Sequence, residues 1–203
     1  MIAAISLMRR RDDVPLAGFR RHWLAVHGSL VCRFAGLRRY VQCHALDSPA
    51  MNATARALRI DGFPMLFFDD DGDRRLAHAS PEMAACNVDS RLFIGAVSRV
   101  ITEAEVVVPP ATTGSRFGLI ALSLEQDGGE VEALRRLPGL RGLTRYRVRE
   151  QGAAPNSTVP HLSVTVGGIA QAWFDSLVDL ECAVTAWAAP ALALFVVEEH
   201  RLV

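Results

Sequence analysis

An internal duplication constrains the fold of this chain more than any other feature of its sequence. Four short fragments of the first half recur in the same order in the second half. Each match is weak alone, but the shared order indicates a repeated unit. The stretch PPATTGSR at 109–116 is typical of a linker. The chain is therefore predicted to comprise a first repeat at 1–108 and a second, degenerate repeat at 117–203. The paired fragments are 4–7 with 121–124, 36–38 with 139–141, 67–69 with 173–175, and 101–108 with 196–203.

Both repeats show the same predicted order of strand, helix, strand, strand, helix, strand. This order is the ferredoxin-like βαββαβ unit, so the fold class is α+β. Each sheet would carry helices on one face only, and two such sheets can cover each other's bare faces. We therefore expect an intrachain α+β barrel, a pseudo-dimer in one polypeptide, with further homodimerisation left open. The predicted segments are 2–8, 16–27, 37–46, 60–68, a helix from Ser80, and 99–108, then 117–124, 129–137, 141–149, 161–174, 175–188 and 192–203.

Composition removes several classes of function. The 22 basic residues, all of them Arg, balance 22 acidic ones. This balance argues against nucleic-acid binding, which needs a basic face for the phosphates, and gives no reason to expect attraction to a membrane. The absence of Lys excludes a Schiff-base or P-loop lysine. The N-terminus lacks the charge order of a secretory signal and no stretch is long enough to span a bilayer, so a cytoplasmic protein is expected.

The sequence contains none of the common cofactor or metal motifs. It has no Gly-rich phosphate loop, no H-E-x-x-H and no G-x-S-x-G. The four cysteines are not spaced for zinc and are interpreted as small hydrophobes in a reducing compartment, with a disulfide or redox role as the alternative. The acidic run at 69–73 lacks the closing Glu of a calcium loop, because the twelfth position is Ser80, and it is predicted to be a surface turn. No metal and no cofactor are therefore expected.

The first repeat resembles the EthD-like family of the dimeric α+β barrel superfamily. The resemblance rests on a Phe-x-x-His-Trp-x-x-x-His-Gly signature and covers residues 1–108. It implies a shaped apolar pocket with a few acid–base residues, because superfamily relatives act as polyketide cyclases, decarboxylases, cofactor-free monooxygenases and lactone isomerases. The segments that carry it are 10–12, 19–23, 27–31, 36–42, 61–69 and 80–83.

Two histidines in the signature are the main candidates for acid–base chemistry. His27 and His22 are five residues apart, which at about 3.6 residues per turn places them ~140° apart on a helix. Gly28 is predicted to end that helix, leaving His27 at its C-terminus. Tyr40 completes the predicted catalytic set. The alternative is that both histidines are packed and hydrogen-bonded without a chemical role.

Three further residues are candidates for substrate binding. Trp23 lies between the two histidines and is either a substrate platform or part of the core. Gln42 and His44 share one face of the strand 37–46 with Tyr40. We expect that mixed polar face to line the barrel interior and the apolar face to pack on the helices. The alternative is a partly solvated outer face.

The expected function is a small soluble protein that acts on a hydrophobic or aromatic small molecule in catabolism or secondary metabolism. As an enzyme it would be a cofactor-independent isomerase, cyclase, dehydratase or decarboxylase. The alternatives are a non-catalytic binding or accessory protein and, third, a haem protein. Only the first repeat is expected to hold a site, since residues 127–137 replace the signature without histidine or tryptophan.

Overall fold

The computed structural model of the protein describes residues 1–110, 116–123, 129–153, 157–185 and 192–203. Most of the predicted linker, residue 124 and residues 186–188 therefore lie outside the described residues. Eight strands form the framework: β1 (Ile2–Arg10), β2 (Leu37–Ala45), β3 (Gly62–Phe68), β4 (Ile94–Val108), β5 (Phe117–Ser123), β6 (Gly142–Gly152), β7 (Gly168–Trp173) and β8 (Leu192–Arg201).

The eight strands close into one antiparallel barrel in the order β1-β3-β2-β8-β5-β7-β6-β4. The first four strands are ordered β4-β1-β3-β2, and the last four repeat that order as β8-β5-β7-β6. The two sheets join at both edges, through β2 with β8 and β4 with β6. Closure leaves no strand edge unpaired. The predicted α+β barrel within one chain is confirmed.

Aromatic side chains from both sheets meet inside the barrel. Phe63 packs edge-on against Phe195 at 5.0 Å, and Phe67 lies 6.3 Å from Tyr146. Val41 and Cys43 point into the same core. Because side chains alternate along a strand, Tyr40, Gln42 and His44 point outwards to the helices. The expected assignment of faces was therefore wrong: the apolar face of β2 fills the barrel, and the polar face packs on a helix.

The helices lie outside the barrel. One continuous helix comprises α1 (Leu16–His22), a π-helical turn (Trp23–His27) and α2 (Gly28–Val31). The others are α3 (Ala53–Leu58), α4 (Asp71–His78), α5 (Pro81–Phe93), α6 (Glu130–Arg135) and α7 (Leu177–Thr185). The described helices are too short or too polar to cross a membrane.

Two helix starts show how local sequence sets these elements. Ser80 caps α5 as predicted, its hydroxyl accepting from the Met83 N–H, with Pro81 at the first helical position. Asp70 caps α4 by accepting from the Asp73 N–H. The acidic run was expected to be a surface turn, but its residues open a helix, where carboxylates favour the N-terminus.

The predicted strand 161–174 is shorter in the structure. Only Gly168–Trp173 forms β7. The residues before it run beside β4 instead, where the Val97 N–H donates to the carbonyl of Pro160 and the Leu162 N–H to that of Val97. This stretch of the second half therefore crosses the outside of the first half.

Candidate active site

A π-helical turn brings the two signature histidines to one side of their helix. The Gly28 N–H donates to the carbonyl of Trp23, five residues earlier, instead of to Leu24. This wider turn rotates successive side chains by less than an α-helix does, which brings residues five apart closer to one face of the helix. The predicted ~140° separation of His22 and His27, which assumed regular α-helical spacing, was wrong.

Gly28 does not end the helix, which continues to Val31. Its backbone is right-handed helical, so it is not the left-handed cap that was predicted. A Cβ at this position would lie 3.0 Å from Nε2 of Gln42. The glycine therefore allows the helix to approach β2 closely, and His27 sits within the helix.

Asp89 on α5 holds both histidines. His27 Nδ1–H donates to Oδ2 of Asp89 at 2.9 Å, and His22 Nε2–H donates to Oδ1 at 2.9 Å. Burial opposes ionisation of this carboxyl, but the two hydrogen bonds outweigh it and hold the pKa of Asp89 below its ordinary value. The carboxylate thus fixes which His27 nitrogen carries the proton. Sequence analysis missed Asp89, which stands in no motif.

Phe93 supports the same arrangement from one turn along α5. Its ring lies 4.8 Å from that of His22 and 5.1 Å from that of His27. Residues four apart share a helix face, so Asp89 and Phe93 present a carboxylate and an apolar wall to the histidines together.

A cavity of about 110 Å³ lies between the barrel and these helices. His27, Trp23 and Tyr40 line it, together with outward side chains of β1, β3 and β4 and one face of α5. His27 is 9% exposed, and its Nε2 has no hydrogen-bond partner among the described residues. The cavity walls are mainly apolar: Ala4, Met8, Val31, Phe34, Pro64, Leu66, Met83, Ile94 and Val97.

Gln42 ties β2 to the helix beneath the cavity. Its Nε2 donates to the Trp23 carbonyl and to the Tyr40 hydroxyl, each at 2.9 Å, and its Oε1 accepts from His44 Nε2. Every polar atom of this buried side chain is therefore used. Gln42, His44 and His22 are not among the cavity-lining residues.

The Tyr40 hydroxyl accepts from Trp23 Nε1 at 3.2 Å as well as from Gln42. Both lone pairs are then occupied, which leaves only its own proton to donate. Burial raises the pKa of Tyr40 far above its ordinary value. This arrangement suits a neutral hydrogen-bond donor and does not suit a base.

His44 packs flat on Trp23, with ring centroids 4.3 Å apart. Burial, helped by His200 and Arg20, lowers the pKa of His44 to about 3. The imidazole is therefore neutral near pH 7 and acts here as a packing and hydrogen-bonding group.

Polar residues that sequence analysis did not single out also line the cavity. They are Ser6, His78, Asn87, Ser90, Arg99 and Ser157. No motif surrounds any of them, and Arg99 and His78 lie on separate elements. Only the folded chain brings them together.

The second half helps to close the cavity. Ser157 and Val159 lie on its rim, and Val159 packs with Phe19, Trp23 and Phe93. The half without the signature therefore contributes directly to the first half's site.

The second half also has a cavity of its own, about 190 Å³, beside α6, β6 and β7. Its polar walls include Glu130 and Arg145, which are 3.8 Å apart, and it has no histidine in its lining. This larger polar cavity counts against the expectation that only the first repeat holds a site.

Across the described residues, no three His, Cys, Asp or Glu side chains are grouped to hold a metal ion. The first cavity, at about 110 Å³, is also well below the roughly 300 Å³ at which pockets begin to enclose a drug-sized ligand. In this form it does not accommodate a porphyrin, so the haem alternative does not fit its shape.

Residues 11–96 match the EthD domain. The first half of the chain carries an EthD domain. The resemblance seen in the sequence is thereby confirmed, and the EthD domain contains His22, Trp23, His27, Tyr40 and Asp89. No curated protein sequence matches the chain significantly.

Two solved structures share the fold over almost the whole chain. An anthrone oxidase-like protein is similar over 99% of this chain and 93% of its own, at 9% identity and a TM-score of 0.64. A candidate monooxygenase from Lactobacillus acidophilus is similar over 100% and 94%, at 9% identity and a TM-score of 0.53. An EthD family protein from Bacillus halodurans is 22% identical over 51% of this chain and 97% of its own, with a TM-score of 0.43. At these identities the likeness shows the fold alone.

Proposed function

We propose that the cavity beside the EthD signature is the active site of a cofactor-independent enzyme that moves protons on a small hydrophobic or aromatic molecule. One observation carries the proposal: Asp89 holds Nδ1 of His27 and leaves Nε2 free at a mainly apolar cavity. A carboxylate on one imidazole nitrogen fixes the tautomer and supports the other nitrogen as a base.

The remaining cavity groups suit this role. The apolar walls exclude water and place a substrate carbon beside His27. Tyr40 offers a neutral O–H and Trp23 a flat wall. His22 acts through Asp89, because it binds the second carboxylate oxygen and does not reach the cavity lining. Isomerisation, cyclisation, dehydration and decarboxylation all require such a proton transfer near carbon.

Exchange of carbon-bound hydrogen tests this proposal without the natural substrate. Cyclohexanone and acetophenone are first shown to bind by ligand-observed NMR, and deuterium incorporation next to the carbonyl is then followed in D₂O. We expect the protein to accelerate exchange of a bound probe, and His27→Gln to abolish the acceleration while the probe still binds.

A binding protein would behave differently in the same experiment. It would bind the ketones equally well with and without His27 and would leave their exchange rate at that of buffer. That outcome would contradict the enzymatic proposal and favour the alternative of a non-catalytic carrier of small hydrophobic molecules.

A further inference from the structure

Arg99 is a buried cation without an anionic partner among the described residues. It lies on β4, is 6% exposed and lines the cavity. Its only contact through hydrogen bonds or ion pairs among the described residues is from Nη1 to Nδ1 of His78, at 3.4 Å. Arg74 provides a contrast, since it is equally buried but lies 2.6 Å from a carboxylate oxygen of Asp71. Burying an unpaired charge is costly, so such a group is a candidate for ligand binding.

His78 presents a second donor without an acceptor. A guanidinium can only donate, so Nδ1 of His78 must accept, and the ring proton lies on Nε2. That Nε2 is buried and has no hydrogen-bond partner in the part of the chain that the structure describes. Burial and the charges of Arg99 and Arg74 lower the pKa of His78 to about 4, so the ring stays neutral near pH 7.

The surrounding charges do not neutralise Arg99. Arg74 is close enough to oppose its charge, whereas Glu150 and Asp71 favour the charge but lie beyond ion-pair distance. Burial is the largest influence and lowers the pKa of Arg99. The wall formed by Arg99 and His78 therefore offers several N–H donors, a net positive charge and no acceptor.

We propose that Arg99 and His78 form a subsite for the carboxylate of a small apolar carboxylic acid. The planar guanidinium matches the two oxygens of a carboxylate, and the His78 Nε2–H adds a neutral donor. The apolar walls receive the hydrocarbon part. The cavity, at about 110 Å³, is smaller than the roughly 150 Å³ that encloses benzene, but it is partly open to solvent, so a ligand with one small ring would fill it and extend towards its open side.

This inference rests on the proposed function, because it names the substrate class for the same cavity. An anchored carboxylate would hold the ring in one orientation within the cavity that His27 also lines. Fixed placement of a reacting carbon beside a base is a large part of what a proton-transfer site supplies.

The test compares two probes of equal shape, benzoate and the neutral benzamide, by ligand-observed NMR titration. We expect the intact chain to prefer benzoate by at least about tenfold, the value of a charge-assisted hydrogen bond. Arg99→Gln should weaken benzoate binding by about 10- to 100-fold and leave benzamide binding unchanged. His78→Phe should reduce the preference by a smaller factor.

Arg74→Gln is the matched control, since it removes an equally buried arginine that does not line the cavity. It should change benzoate affinity by less than about threefold, the scale of a screened, more distant charge. Chloride and acetate titrated against bound benzoate show whether any small anion fills the subsite. Displacement by chloride at millimolar concentration would overturn the assignment to a carboxylic acid.

Stability separates a binding residue from a structural one. Arg99→Met should melt at the same temperature as the intact chain or higher, because it removes an unpaired buried charge. A lower melting temperature together with an unchanged preference for benzoate would overturn the proposal.

His27→Gln should keep the benzoate preference. If the intact chain catalyses no exchange but Arg99→Gln still abolishes that preference, the enzymatic proposal fails and the subsite stands.

Discussion

The two halves of the barrel have the same strand order but differ in the segment that follows their first strand. In the first half, the helix from Leu16 to Val31 covers the sheet and carries His22, Trp23 and His27. In the second half, α6 has only six residues, Glu130–Arg135. Barrel closure depends on strand pairing, so a helix can shorten without loss of the framework. We interpret 1–108 and 117–203 as two copies of one unit, an interpretation that the shared strand order supports.

The halves also differ in the pairing of their buried charged side chains. In the second half, Arg145 Nε lies 3.8 Å from Glu130 Oε1, so the two side chains form an ion pair at that cavity. In the first half, within the described residues, Arg99 has no carboxylate at ion-pair distance and His27 keeps one nitrogen unbonded. A buried cation without a carboxylate and an open base are better suited to a ligand than an ion pair is, although Glu130 Oε2 and Arg145 Nε of the second cavity also lack hydrogen-bond partners among the described residues.

The largest expected effect comes from His27, because the segment at 127–137 in the second half has no histidine. His27→Gln should lower the rate of ketone hydrogen exchange by about 100-fold or more, the scale of general acid–base catalysis. Glu130→Gln at the second cavity is the matched control and should leave the rate unchanged. Equal losses from both variants, measured by deuterium incorporation, would remove the functional distinction between the halves.

Acid should destabilise the protein through histidines of the first half. The pKa of His44 is lowered to about 3 and that of His78 to about 4, whereas an unfolded histidine titrates near 6.5. The unfolded chain then binds more protons below pH 6.5, so the stability present above that pH is lost as the pH falls.

By pH 5 each of these histidines should reduce the free energy of unfolding by about 2 kcal/mol. Urea unfolding at pH 7 and pH 5 measures the loss, and His44→Gln should remove roughly half of its pH-dependent part. A wild-type unfolding curve that is the same at both pH values would contradict the neutral, buried state of these rings.

Asp89→Asn should act more mildly than loss of His27, because the base remains although its tautomer and orientation are no longer fixed by a carboxylate. We expect a loss of at least about tenfold in exchange rate, equivalent to at least about 1.4 kcal/mol. His22→Gln, which affects only the far oxygen of Asp89, should cost less than Asp89→Asn. A larger loss from His22→Gln would mean that His22 reaches the substrate itself.

The smallest predicted effect tests whether the second half completes the first half's cavity. Val159→Ala removes two methyl groups packed near Trp23 and Phe93, and should reduce stability by about 1 kcal/mol. It should also weaken benzamide binding, because the rim loses apolar contact. Val178→Ala, at an exposed site on α7, should change neither quantity. Unchanged binding in Val159→Ala would show that the rim does not contact the ligand.

The sequence by itself determined the barrel and the helix that bears the site. Repeated fragments and the order of elements predicted two βαββαβ units, because apolar periodicity and caps such as Ser80 are local signals. The EthD signature pointed to His27 and Trp23, and the resembling segment 36–42 to Tyr40; all three line one cavity.

Tertiary structure decided the rest, for two physical reasons. The π-helical turn that aligns His22 with His27 arises from one altered backbone hydrogen bond, which average helical spacing does not reveal. Asp89 lies 62 residues from His27, and Arg99 is 21 residues from His78. Such partners meet only when helices pack on the sheet, so their roles depend on distances that no local pattern encodes.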